Sequence, residues 1–576
     1  MQEIFGKNGV ETPEPLRATV SGHLPHWLQG TLLRNGPGMF TLGGTTYNHW
    51  FDGMALIHSF TFRDGEVYYQ SKFLQSDTYK KNMTANRIVV SEFGTMIYPD
   101  PCKNIFSRVF SHLSSAIPDF TDNNLINIIR YGEDYYTSSE VNYINQIDPE
   151  SLETLGRVNY RNHIALNLAT AHPHYDKEGN TFNMGTSIMS LRGPNYVIFK
   201  VPAHAPGEAS KSSALKNIQQ LCSIPCRSKS NPSYFHSFGL TENYFVFVEQ
   251  PFKLDILKLA TAYFRGITWG KCLKFDKEDI TLIHLIDRRT GKAVPTKFYT
   301  DAMVMFHHVN AYEEDGHMVF DIIAYKDSKL YDMFYMHNMK KENNHFIETN
   351  KMSSPPVCQR FILPLSTDKG EAGTNLVKLE GSAATAVQQE DGSMYCTPDT
   401  LCEGIELPGI NYKFNGKKYR YCYGSRVKWS PCPNKIGKLD VVTRECLEWT
   451  EEDCFPSEPI FVALPDAKEE DDGEWWRVLP QVYYTSEQPA PMLNTVATSA
   501  RAASKTDSAC PLLFLESKFN VQCVSGVILT SVISHNPKKA PFLLILNAKD
   551  LKEMARATIS SSVHMDLHGL FVPKKT

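Results

Sequence analysis

The feature that most constrains this chain is a strand, a tight acidic-glycine turn and a second strand, recurring without long amphipathic helices between copies. It is clearest over residues 59–69, where apolar and polar side chains alternate on both sides of Asp64-Gly65, the mark of a β-hairpin. Similar turns at Glu178-Gly179, Asp315-Gly316 and Asp391-Gly392 are flanked by short runs of strand character. A second unit ends an apolar strand on Asp or Asn, then turns into another strand. Its four copies are 144–148, 282–287, 436–440 and 543–547, ending on Asp148, Asp287, Asp440 and Asn547. Repeated hairpins without βαβ alternation favour an all-β propeller or sandwich over a Rossmann or TIM fold. At about 40–50 residues per blade, roughly seven blades fit the length and leave loops and short helices to roof one face. The divergent, irregular spacing does not fix the blade count.

With 59 basic and 63 acidic residues the formal net charge is −4, which gives no reason to expect a nucleic-acid partner or an acidic substrate. The start, Met1-Gln2-Glu3-Ile4-Phe5-Gly6, has neither a secretory nor a transit-peptide pattern, and a cytosolic location is expected. No apolar run approaches the ~20 residues of a membrane-spanning helix, so membrane contact is expected to be peripheral. The 13 cysteines are odd in number and lack paired CxxC spacing, which suits reduced thiols. The segment 474–525, with Trp475-Trp476 and an Ala/Ser/Thr-rich stretch, breaks the hairpin pattern and reads as an atypical insertion within one domain spanning 1–576.

Three histidine sites share a context. His172 opens a segment that turns at Glu178-Gly179, His236 precedes a turn at Thr241-Glu242-Asn243, and the pair His307-His308 opens a strand that turns at Asp315-Gly316. Equivalent placement on several blades would aim these imidazoles at a common axis. His568, where a propeller would close, is a fourth candidate. Four imidazoles suit iron, copper, zinc or nickel and leave positions open on a six-coordinate metal. A ligating imidazole usually donates its other N–H to a fixed acceptor, and Glu140, Glu406 and Glu458 stand in apolar or turn settings where they could serve. Spacing alone does not choose between His307 and His308.

Several longer stretches carry more information. Leu33-Arg34-Asn35-Gly36-Pro37-Gly38, Tyr47-Asn48-His49-Trp50-Phe51-Asp52-Gly53, Pro99-Asp100-Pro101-Cys102-Lys103-Asn104, Phe306-His307-His308-Val309-Asn310-Ala311-Tyr312 and Met565-Asp566-Leu567-His568-Gly569-Leu570-Phe571 resemble the carotenoid cleavage oxygenase family, and the resemblance covers nearly the whole chain. It implies a seven-bladed propeller with one Fe(II) on its axis, His172, His236, His307 and His568 as ligands, and Glu140, Glu406 and Glu458 behind them. It selects His307 from the His-His pair.

The implied reaction adds O2 across the central 15,15′ double bond of β-carotene to give two molecules of retinal. A polyene offers no charged handle, so an apolar tunnel with aromatic faces is expected, with Tyr234, Tyr325 and Phe455 as candidate lining residues. Residues 105–117 mix apolar and basic side chains and would frame the tunnel mouth at a membrane. By the same likeness Cys102 is a candidate for acylation, against the simpler reading of a reduced thiol. The family runs from an acidic Asp-Asp-Gly directly into a Val-Ile-Leu strand, whereas here 474–525 intervenes. Rival readings are eccentric cleavage or retinyl-ester isomerisation on the same fold, and a carotenoid-binding variant inactivated by the insertion. Oligomeric state is not legible in the sequence.

Overall fold

The four Asp- or Asn-terminated strands all end in the same turn. The backbone N–H groups two or three residues on donate to the side-chain oxygen of Asp148, Asp287, Asp440 and Asn547, and the fourth residue on (Leu152, Gly291, Arg444 and Leu551) takes a positive φ of 55–66°. An Asx turn of this kind reverses the chain between two strands and tolerates a non-glycine left-handed residue where the side-chain bond holds the loop. In the first hairpin both Asp64 (φ 55°) and Gly65 (φ 77°) are left-handed, the geometry that matches strand twist.

The computed structural model describes residues 2–97, 120–188, 193–203, 214–339, 354–367, 370–427, 433–465, 467, 469–471 and 526–574. The expected propeller is present, with seven sheets of four to six strands as its blades. Blade one contains Gly30–Met39, Met54–Arg63 and Glu66–Phe73, and blade two runs from Asn127–Tyr131 to Thr154–Asn159. Blade three runs from Leu168–Ala169 to Gln219–Pro225, and blade four from Gly239–Leu240 to Phe298–Thr300. Blade five spans Val304–Glu314 to Asp399–Glu403, blade six Ile405–Gly409 to Cys446–Thr450, and blade seven Cys454–Pro456 to Glu553–Thr558. The Asp391-Gly392 hairpin is real but founds no blade: Thr385–Gln388 and Met394–Thr397 extend blade four, Met394–Thr397 pairing in parallel with Phe298–Thr300.

Blades pack face to face, so their middle strands are apolar on both sides. Val246, Val248, Ile283 and Leu285 of blade four meet Met318, Phe320, Ile322 and Ala324 of blade five, and every residue of His317–Tyr325 is buried. The outer strand Cys446–Thr450 is largely exposed. Two exchanges close the ring. His568–Pro573 adds to the edge of blade one, in register Asn35↔His568 to Gly30↔Pro573, and Thr19–Gly22 adds to the far edge of blade seven beside Glu553–Thr558. Closure leaves neither blade with an open seam toward its neighbour.

Candidate metal centre

Each blade sends one side chain to the axis. His172, just ahead of His174–Tyr175, comes from blade three; His236, just ahead of Gly239–Leu240, from blade four; His307, within Val304–Glu314, from blade five; His568 from the strand that closes blade one. Glu140, Glu406 and Glu458 come from blades two, six and seven. The four imidazoles offer ligand atoms that all lie within 4.8 Å of one another. His172 Nε2 is 2.8 Å from His236 Nε2, which is 3.2 Å from His307 Nε2. The ring of His172 stands edge-on to those of His307 and His568, at 88° and 90°.

The carboxylates hold the outer nitrogens. His307 Nδ1 donates to Glu406 Oε2 at 2.7 Å, His568 Nδ1 donates to Glu458 Oε1 at 2.8 Å, and His236 Nδ1 is in direct contact with Glu140 Oε1. Each carboxylate is itself fixed. Tyr234 Oη donates to both oxygens of Glu140 at 2.9 Å, Tyr325 Oη donates to Glu406 Oε1 at 2.7 Å, and Arg34 Nη1 donates to Glu458 Oε2 at 2.8 Å. A proton kept on Nδ1 leaves a lone pair on Nε2.

Burial would raise Glu406 and Glu458, yet the adjacent imidazoles, with Arg34 at Glu458, hold both below the ordinary carboxylate value. Burial together with the three neighbouring imidazoles pushes His172 well down, so it stays neutral. Four acceptor nitrogens, three of them on buried residues, that face one another across so small a space are matched by a cation, and this donor set fits a transition metal.

His308 is not part of the cluster. It packs against Phe320, 6.0 Å between ring centroids, and neither ring nitrogen has a hydrogen-bond partner among the described residues. His174 donates from Nε2 to the Phe238 carbonyl at 2.7 Å, which occupies it structurally.

A cavity opens beside the cluster, and His236 and Glu140 belong to its wall. The rest is largely apolar, including Phe51, Phe93, Leu259, Trp269 and Phe306. Of the three aromatics singled out from sequence, Tyr234 lines this cavity. Tyr325 holds Glu406 from within the core shared by blades five and six. Phe455 packs beside Ile533 and Met565, with His535 5.6 Å away. Two residues of the site were not singled out. Tyr331, on the helix Lys329–Met333, lines the cavity with its ring 5.3 Å from Phe306; so short a helix leaves no periodic signal. Arg34 did have one, a lone arginine inside an apolar strand.

Residues 105–117 and Cys102 lie outside the described residues, as do 472–525. The flanks of the latter are described: Val462 and Val527 are partners in adjacent antiparallel strands of blade seven.

Fold and site together define a propeller whose four-histidine cluster fits a metal ion and reaches an apolar cavity through His236. Comparison with known proteins gives the lineage. The profile of the family described as retinal pigment epithelial membrane protein matches residues 5–486 and 523–573, and the chain belongs to this family, the carotenoid oxygenases. It is 56% identical to the β,β-carotene 15,15′-dioxygenase of Gallus gallus over 574 residues, 100% of this chain and 98% of the relative. Against the enzyme of the same name from Homo sapiens it is 54% identical over 99% of this chain and 95% of the relative. Identity falls to 36% with the human mitochondrial carotenoid-cleaving dioxygenase, over 98% of this chain and 89% of the relative. Among solved structures, a Synechocystis apocarotenoid oxygenase variant superposes with a TM-score of 0.70 at 19% identity, covering 98% of this chain and 97% of the other.

Proposed function

We propose that this chain is an iron-dependent dioxygenase that cleaves β-carotene at its central 15,15′ double bond with O2, giving two molecules of retinal. The observation that carries the reading is that His236 belongs both to the four-histidine cluster and to the wall of the apolar cavity. The substrate comes from the relatives at 54–56% identity, all β,β-carotene 15,15′-dioxygenases. Identity is lower, 36–38%, with relatives named as carotenoid-cleaving dioxygenases, so the 15,15′ relatives are the better guide to the bond cleaved.

His172, His236, His307 and His568 would hold one Fe(II). When bound, the iron supplies the binding and activation of O2. The protein's own groups do the rest. Glu140, Glu406 and Glu458 keep Nδ1 protonated, which fixes ring orientation and makes Nε2 a better donor. Tyr234, Tyr325 and Arg34 fix those carboxylates. The faces of Phe51, Phe93, Phe306 and Tyr331 exclude water and can stabilise positive charge developing along the polyene.

So insoluble a substrate is best taken from a bilayer. Among the described residues no helix is long and apolar enough to cross a membrane. The helix Ile256–Arg265 instead leaves Leu257 and Phe264 exposed (70% and 62%), carries Lys258 and Arg265, and buries Leu259 in the cavity wall. We assign it to peripheral membrane contact at the cavity mouth, together with 105–117, in a cytosolic protein.

The test is anaerobic Fe(II) loading of the purified chain, then O2 and β-carotene in detergent, with chromatography of the products and a His307→Ala control. Retinal as the sole product, absent in the control, is expected. Apocarotenals of unequal length would replace central with eccentric cleavage. Folded, iron-loaded protein that binds pigment without turnover would make it a carotenoid-binding variant.

A further inference from the structure

The cavity wall contains one acid that the reaction does not use. Glu92 follows the helix Asp77–Ala85, and its backbone N–H donates to the Thr95 carbonyl at 2.9 Å, closing a turn that brings Glu92 and Phe93 to the cavity together. The residue is 6% exposed. Thr121 Oγ1 donates to Glu92 Oε2 at 2.7 Å, whereas Oε1 is buried with no hydrogen-bond partner among the described residues. Leaving such an atom unpaired is costly, so its persistence in a ligand cavity calls for an explanation.

Several other polar groups of this wall are already engaged. Asn123 accepts the Ala55 N–H at 2.9 Å and donates to the Gly53 carbonyl at 2.9 Å. Thr170 donates to Asn183 Oδ1 at 2.9 Å, and Ser139 Oγ accepts the Leu125 N–H at 3.0 Å. Glu140 is taken up by His236 and Tyr234. Glu92 is the carboxyl of this wall with capacity left.

We propose that Glu92 is a specificity-determining residue, whose free oxygen hydrogen-bonds an oxygen function, hydroxyl or aldehyde, carried on the polyene. The proposal rests on the reading of the cavity as the polyene site. Burial, with Asp52 and Asp122 nearby, pushes the Glu92 carboxyl well above its ordinary value, which favours its protonated form. With Thr121 donating to Oε2, Oε1 is the oxygen left to carry the proton of the acid toward a ligand. An O–H donor suits a carbonyl or hydroxyl oxygen and has nothing to offer a hydrocarbon end ring. The terminal torsion of a glutamate is soft, so the carboxyl can turn toward a ligand without moving backbone. A pairing of this kind discriminates by the loss suffered when one partner is missing.

The test compares kcat/KM for β-carotene and for its 3-hydroxylated derivative in the iron-loaded full chain and in Glu92→Leu and Glu92→Gln. Glu92→Leu should lower the value for the hydroxylated polyene about tenfold while that for β-carotene stays within about twofold. Glu92→Gln, which keeps a donor, should retain most of the preference. Equal change for both substrates, or none, overturns the proposal while leaving the cleavage reading intact. Failure of the parent chain to turn over either polyene strikes the cleavage reading instead. A second measurement needs no folded leucine variant: the C=O stretch of a polyene aldehyde bound anaerobically to the parent chain should lie below its value in alkane. An unshifted stretch in the parent overturns the proposal.

Discussion

Arg34 reaches Glu458 Oε2 at 2.8 Å while Glu458 Oε1 lies 2.8 Å from His568 Nδ1, so one carboxylate joins a fully buried guanidinium to a histidine of the cluster. Arg34 also donates from Nε to Asp566 Oδ1 at 2.7 Å and from Nη2 to the Leu567 carbonyl at 3.0 Å. It therefore fixes the approach to His568 as well as its acceptor.

Replacing Arg34 by Met removes the counter-charge of two buried carboxylates. Breaking one side of a buried pair costs about 3–5 kcal/mol. Urea denaturation of Arg34→Met should show a loss of that order, and metal analysis should show substoichiometric iron. A variant of parental stability that binds a full equivalent would remove Arg34 from this role.

Ligand and carboxylate positions should separate. His307→Ala should abolish stoichiometric metal binding. Glu406→Gln leaves the ring in place with a weaker acceptor, for which a loss of about 10–100-fold in metal affinity is expected. Competition against a chelator of known affinity measures both, and equal effects at the two positions would contradict the assignment.

Blocking the cavity should stop turnover without touching the metal. Leu168 lines it, and Leu168→Trp would fill space there at about 1–3 kcal/mol of stability. Iron content should stay near parental while retinal formation falls by at least about tenfold, if substrate must lie against His236.

Asp52 gives a pH dependence of defined sign. Burial raises its pKa from 3.8 to about 7, against the pull of hydrogen bonds from Gly94 N–H (2.8 Å) and Thr95 O–H (2.6 Å). Between those values the folded state keeps a proton that the unfolded chain has lost, so this residue's contribution to stability falls as pH rises. The span corresponds to roughly 4 kcal/mol. The stability difference between the parent and Asp52→Asn should shift in favour of the variant from pH 4.5 to pH 7, and a difference independent of pH would refute the assignment.

The proposal that 474–525 is an excursion from one hairpin is also testable. The paired Val462 and Val527 leave the strands on either side already joined, and the family profile skips 487–522. Closure entropy grows slowly with length, so deleting 487–522 should change stability by less than about 1 kcal/mol and preserve iron content. Collapse of the fold on deletion would show that these residues support the blade.

Much of the architecture was legible because hairpins and Asx turns are local. The acid at 64, 148, 287 or 440 determines its turn from within a few residues, and alternation on either side sets the strands. The Asp391-Gly392 hairpin shows the limit: its local geometry was readable, its attachment to blade four was not, since pairing with 298–300 depends on residues nearly a hundred positions away. The histidines were visible as equivalent blade positions, whereas the choice of His307 over His308 came from family likeness. The structure separates them by strand alternation, one side chain toward the axis and the next against Phe320. Tyr331 and Glu92 left no trace, because a cavity wall is assembled from segments that share no sequence pattern.

The strand that closes the ring imposes an order on biosynthesis. Three of the clustered imidazoles have been synthesised by residue 307, but the fourth is residue 568, and the strand it begins must find an edge made by residues 30–35. Until then the nascent chain is an open arc with an incomplete set of ligands and an exposed blade edge. A site that uses all four imidazoles is therefore complete only once that last strand has paired, which ties the full ligand set to closure of the circle.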